Sequence, residues 1–190
     1  LILADHSGRM TLKLIEGGVD PSDIYVWEDS TKGNHSVIME GATVTDNLDD
    51  YNDMRFDVVI GNPPYLRGDH LKFLIKSLEI SDNVTLIHPA SWLFRCSSAL
   101  EKQARNMVSG RVSKLEIFNG NTTFTGAQFG GPLVITTCVK EHTGPIQLVY
   151  KTTGNSYMID SLEDMPTGYW EPTEKHKSLV DLFTQLSDTN

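Results

Sequence analysis

Apolar positions along this chain fall into short blocks of two alternating kinds. Blocks such as Leu1–Ala4, Ile24–Trp27, Thr43–Thr45 and Phe56–Ile60 are rich in branched and aromatic residues and bounded by turn formers, so they predict strands. Val84–Ile87, Lys114–Phe118, Pro132–Val139 and Ile146–Lys151 continue that series. Between them the spacing lengthens to that of a helix face. Residues 8–16 carry Met10, Leu12, Leu14 and Ile15 ahead of Gly17-Gly18, and residues 70–80 carry Leu71, Leu74, Ile75 and Leu78. Ser98 stands as the N-cap of a third helix reaching Val108, and a last one is expected over residues 174–186. Strands alternating with helices over the first 120 residues predict an α/β fold with a parallel sheet. The final strands lack intervening helices and predict an antiparallel edge.

Composition narrows the class. The 190 residues are 39% hydrophobic and 22% charged, an ordinary globular balance. No apolar run reaches the roughly 18–20 residues of a membrane span, and the N-terminus lacks the layout of a signal peptide. Cys96 and Cys138 are the only cysteines, too few for a disulfide framework or a cysteine-rich metal site. The expectation is a reducing, cytoplasmic location with no metal and no membrane partner. The net charge of −9 sits mostly in residues 1–60, which carry 12 acidic and 4 basic side chains. Downstream, Arg95, Lys102, Arg105, Arg111 and Lys114 form a basic stretch in sequence. The acidity of the whole chain is unlike a self-sufficient DNA binder, so any such activity is expected to lean on a recognition element elsewhere.

One segment carries chemistry. The strand at Phe56–Ile60 runs into Gly61-Asn62-Pro63-Pro64-Tyr65. A strand of this kind delivers its following loop to the carboxyl edge of the sheet, where open α/β folds bind ligands. The Asn62 side-chain oxygen is an acceptor, and Pro63, followed by another proline, holds its carbonyl in extended backbone. Two rigid acceptors can take both hydrogens of an exocyclic amine and aim its lone pair at an electrophile. Tyr65 offers an aromatic face for an extruded base.

This segment resembles the catalytic motif of S-adenosylmethionine (SAM)-dependent amino-methyltransferases, above all the N6-adenine DNA methyltransferases of restriction–modification systems. The resemblance implies a Rossmann-like methyltransferase fold with a mostly parallel seven-stranded sheet and an antiparallel edge strand. It implies that Asn62 and Pro63 bind the target amine, that Pro64 stiffens the motif and that Tyr65 stacks on the base. It also implies a SAM site. Asp5 and Gly8 would form the turn after the first strand, with Met10 where the family has a second glycine. Glu28, with Asp29 as alternative, would meet the ribose hydroxyls after the second strand. Asp46 would meet the adenine amine after the third, with Asp49, Asp50 and Asp53 as alternatives, and Asn62 would border the cofactor. Thr85–Leu93 and the stretch from Glu116 to Thr137 also resemble that group, and there Phe124, with Phe129 as runner-up, would cover the other face of the base. His88 is not needed for this chemistry.

The motif order suits enzymes whose recognition domain follows the catalytic one. Residues 1–140 are read as the catalytic domain and 141–190 as an extension that begins a recognition region. The chain opens on Leu1 and not on methionine, which suggests a longer parent reading frame. The expected partner is DNA with an adenine target, recognised with help from outside this chain. Protein-glutamine and RNA-adenine methyltransferases share the tetrapeptide, and a relict subunit that only binds is the non-enzymatic alternative.

Overall fold

The computed structural model describes residues 2–4, 8–27, 40–45, 47–94 and 96–165. Among them the first strands are β1 (Ile2–Ala4), β2 (Tyr25–Trp27), β3 (Thr43–Thr45), β4 (Val59–Gly61) and β5 (Asn83–Pro89). They are followed by β6 (Val112–Phe118), β7 (Leu133–Val139), β8 (Ile146–Tyr150) and β9 (Asn155–Ile159). The helices are α1 (Arg9–Glu16), α2 (Asp69–Ile80), α3 (Ser91–Phe94), α4 (Ala99–Val108) and α5 (Gly120–Thr123). The strands form one sheet in the order β3-β2-β1-β4-β5-β7-β6-β8-β9.

The first five strands are parallel to one another. Strand β7 is antiparallel and lies between β5 and β6, because the chain turns back after β6 without a crossover helix. Strand β9 supplies the antiparallel edge. The sheet therefore exceeds the seven strands expected, since β8 pairs in parallel with β6 and brings β9 with it. The expected boundary at residue 140 falls in the turn between β7 and β8, two strands of the same sheet.

Helices cover both faces, as β4 shows residue by residue. Val59 packs with α2 and α4 in the main core, whereas Ile60 packs with α1 residues Met10, Leu14 and Ile15. Successive strand residues point to opposite faces, so a strand buried on both must be apolar throughout. Helix α2 buries Leu71, Phe73, Leu74, Ile75, Leu78 and Ile80. Each such side chain contributes roughly 1.5–3 kcal/mol when removed from water. Helix α4 begins with a capping box in which Ser98 accepts from the Glu101 N–H and the Glu101 carboxylate accepts from the Ser98 N–H.

Three sequence expectations change. Residues 56–58 do not extend β4: Phe56 makes only an isolated parallel bridge to Ser81, and Asp57 and Val58 face solvent. The short helices α3 and α5 and strand β9 carry no periodic apolar pattern and were not anticipated. The basic stretch is divided in the fold, because the guanidinium groups of Arg105 and Arg111 hold neighbouring elements together. Arg105 donates to the carbonyls of Leu93 (2.6 Å) and Leu162 (3.1 Å), and Arg111 to those of Leu78 (2.6 Å) and Ser81 (3.1 Å). Lys114 pairs with Glu116. Arg95 and the expected helix at 174–186 lie outside the described residues.

Candidate active site

The carboxyl ends of the parallel strands stand in register. Thr45 pairs with Trp27, Trp27 with Ala4, and Ala4 with Gly61. Asn62 follows Gly61 directly, and Asp5, Glu28 and Asp46 follow the other three strand ends in sequence. Those three, with Asp29, lie outside the described residues. The chain leaves β1 toward β2 on one side and returns to β4 on the other. The crevice between β1 and β4 is therefore the topological switch point, the place where open α/β sheets take ligands.

Gly8 is the N-cap of α1 and is buried with φ +69°. This left-handed conformation is open to glycine and strained for a side chain, so the backbone can come close to whatever occupies the crevice. Of the alternatives to Asp46, Asp50 is engaged by the side chains of Thr45 and Asn47, while Asp49 and Asp53 face solvent. Buried Gly8 at the start of α1, with four strand ends in register and carboxylates following three of them in sequence, has the chemistry to suit a nucleoside-bearing cofactor.

The Asn62–Tyr65 segment is held from both sides. Its prolines have no N–H, so β4 cannot continue its ladder through them. Asn62 is exposed at the edge, Pro63 is buried and Pro64 is exposed. The Tyr65 hydroxyl donates to Asn62 Oδ1 at 2.5 Å and lies 3.4 Å from the Ile87 carbonyl. Burial pushes the Tyr65 phenol above its ordinary pKa, which keeps it a neutral donor. Its ring meets His70 edge-on at 6.2 Å and Phe129 at 6.0 Å.

Tyr65 and Phe129 open onto a cavity of about 400 Å³, also lined by Pro89, Ser91, Gln128 and the Gly130-Gly131 turn. Pro89 and Leu133 are paired across β5 and β7, so the antiparallel strand brings its preceding loop to the motif. The ring set against Tyr65 is thus Phe129. Phe124 stands one ring further out, tilted against Phe118 (6.3 Å) and Phe129 (5.9 Å).

Sequence reasoning missed the residues that seat Phe129. Asn121 clamps its backbone: the Phe129 N–H donates to Asn121 Oδ1 (2.7 Å), and Asn121 Nδ2 donates to the Phe129 carbonyl (3.2 Å). Gly120 leaves room for the ring, since a Cβ there would come within 2.6 Å of Phe129 Cδ2. Nothing in a Gly-Asn dipeptide within a loop distinguishes this clamp from an ordinary turn. His70, also missed, lies with His88 behind Tyr65. His88 is fully buried, stacks on Trp92 and has Nε2 2.9 Å from Thr136 Oγ1. Burial, and secondarily His70, pushes the His88 pKa down to about 3. Burial takes His70 to about 4 against the opposing pull of Asp69 and Glu101. Both imidazoles are neutral near pH 7.

Residues 21–76, from the turn before β2 into α2, match the family model described as Eco57I restriction-modification methylase. No curated protein matches the chain. Among solved structures the chain is similar to the methyltransferase subunit of a type I restriction-modification system from Streptococcus thermophilus. The TM-score there is 0.59 at 15% identity, over 97% of this chain and 48% of that one. It is also similar to the type IIG restriction endonuclease BpuSI (TM-score 0.52, 16% identity, 78% of this chain and 23% of that one). A third is a Listeria monocytogenes protein assigned to the class I SAM-dependent methyltransferases (TM-score 0.54, 14% identity, 86% and 59%). The chain spans about half the length of the first of these. The fold is that of the class I SAM-dependent methyltransferases, and the segment carrying the site matches a restriction–modification methylase family. Among the described residues no helix is long and apolar enough to cross a membrane.

Proposed function

We propose that this chain is the catalytic core of a SAM-dependent DNA methyltransferase of the restriction–modification type, acting on the N6 amine of an adenine swung out of the duplex. One observation carries this reading: Asn62 follows the end of β4 at the switch-point crevice and is hydrogen-bonded to Tyr65, which lines a cavity together with Phe129.

Gly8, through its backbone, and the side chains of Asp5, Glu28 or Asp29, and Asp46 would hold the cofactor, which supplies a methyl group on a positively charged sulfur. The chain's own residues do the rest by positioning. A planar base enters the cavity that Tyr65 and Phe129 line. Its amine hydrogens go to Asn62 Oδ1 and the Pro63 carbonyl, and the nitrogen lone pair is turned toward the crevice. Were the methyl group transferred, its bond to sulfur breaking to leave a neutral thioether as its bond to nitrogen forms, positive charge would develop on the nitrogen, and two carbonyl oxygens already in place would stabilise it without reorganising. The amine proton then leaves to solvent, and no covalent bond to the protein forms. Residues 141–190 and whatever adjoins them are proposed to contribute to target recognition, with further DNA contacts from a domain or subunit outside this chain.

The test is methyl transfer from labelled SAM to duplex DNA, RNA and a release-factor protein, with Asn62→Ala beside the parent. Label on DNA adenine N6 that vanishes in Asn62→Ala, with SAM binding retained, supports the reading. Label on a glutamine side chain or on RNA alone overturns the DNA assignment. No SAM binding at all supports a relict subunit.

A further inference from the structure

The residues after Tyr65 form the most conspicuous surface feature near the site. Leu66 is 76% exposed, the most exposed large apolar side chain among the described residues. Arg67 follows with φ +53°, a left-handed backbone that side chains rarely adopt, and then Gly68 with φ +81°. Arg67 is exposed and, among the described residues, makes no ion pair or hydrogen bond, unlike Lys72 one turn on, which pairs with Asp69 at 2.9 Å. The base of this turn is fixed: a Cβ on Gly68 would come within 3.0 Å of the Leu100 side chain on α4. An apolar side chain and an uncommitted cation are thus held out on an anchored, strained tip, next in sequence to the ring that would receive the base. Strain of this kind persists where the surrounding structure over-determines it, and it clusters at functional sites.

Extruding a base leaves a gap in the stack. Proteins that deform duplexes fill such gaps with apolar wedges, while nearby cations take the phosphates. We propose that Leu66 and Arg67 are the duplex-entering tip of this protein: Leu66 occupies the space vacated by the target adenine, and Arg67 meets a flanking backbone phosphate. The proposal rests on the function given above and adds the element that opens the duplex.

The experiment uses the full-length protein and duplexes carrying its target sequence, found by mapping N6-methyladenine in the DNA of an expressing host. One duplex pairs the target adenine normally; a second sets it opposite an abasic site, where it is already unpaired. Leu66→Ala should methylate the paired target about tenfold more slowly, while the rate on the unpaired target stays within about twofold. With 2-aminopurine at the target position, the rise in fluorescence on binding should shrink in the same variant. Arg67→Gly, which suits the left-handed backbone, should lower the slope of log affinity against log salt by about 0.9, the share of one phosphate contact. Equal loss on both duplexes, or no loss on either, overturns the wedge, and an unchanged slope overturns the phosphate contact. If the parent protein methylates neither duplex, the function proposed above falls and takes this inference with it. Activity on both without discrimination by Leu66 overturns this inference alone.

Discussion

The Tyr65 hydroxyl donates a 2.5 Å hydrogen bond to Asn62 Oδ1, so the aromatic ring and the proposed amine acceptor are tied to each other across two prolines. A carbonyl oxygen has two lone pairs, and this bond uses one. The other stays open to an amine hydrogen. Tyr65→Phe keeps the stacking face and is expected to retain methyl transfer within about fivefold, since one neutral hydrogen bond nets about 1 kcal/mol. Tyr65→Ala loses the stacking face as well and should raise KM for DNA by at least about tenfold, because stacking on one base is worth roughly 1–3 kcal/mol. Steady-state kinetics on the two variants checks both.

Gly120 and Phe129 occupy the same space. Gly120→Val places branched carbon where Phe129 Cδ2 lies 2.6 Å from an added Cβ, so the ring must leave its seat. Overpacking of this sort costs about 1–3 kcal/mol. A lower Tm together with a raised KM for DNA, and unchanged SAM affinity by calorimetry, is the expected outcome.

Asn121→Ala removes both bonds to the Phe129 backbone without adding bulk. The expected loss is about 1–2 kcal/mol in a urea melt, with KM for DNA rising while SAM binding holds. Phe124→Ala should perturb KM less than Phe129→Ala, because only Phe129 meets Tyr65.

The histidines behind the site predict a pH dependence with a definite sign. His70 and His88 have folded pKa values near 4 and 3, below the ordinary value of 6.5. The unfolded chain therefore binds more protons as pH falls through 6.5, and stability drops on acidification. The stabilisation is fully present above pH 6.5 and decreases progressively toward the folded values. Between pH 7 and 5 the two groups together should cost on the order of 3 kcal/mol, before most carboxylates protonate. Urea midpoints across that window measure it, and His70→Gln should shallow the slope.

Ser98→Ala serves as a control remote from the chemistry. It breaks the capping box of α4 and should cost about 1 kcal/mol of stability with kcat unchanged.

Much of the fold was legible along the chain because its causes are local. Leu71, Leu74, Ile75 and Leu78 repeat at the period of a helix, Gly17-Gly18 end α1, and Pro63-Pro64 stop β4 because they have no N–H to offer a ladder. The same locality made the stiff Asn62–Tyr65 segment conspicuous, since two prolines in a row fix the backbone whatever surrounds them.

Pairing across the sheet belongs to the tertiary structure. That β7 slots between β5 and β6, bringing Phe129 and not Phe124 to Tyr65, depends on hydrogen bonds such as those joining the Pro89 and Leu133 strands, which no window of sequence contains. The basic stretch is likewise contiguous only in one dimension. Once folded, Arg105 and Arg111 donate to carbonyls left over at the ends of neighbouring elements, and their charge is turned inward to hold the fold. Short-range sterics and periodicity thus determined which elements form and where the motif sits. Long-range backbone pairing, which must satisfy every buried N–H and C=O at once, decided which side chains share the site.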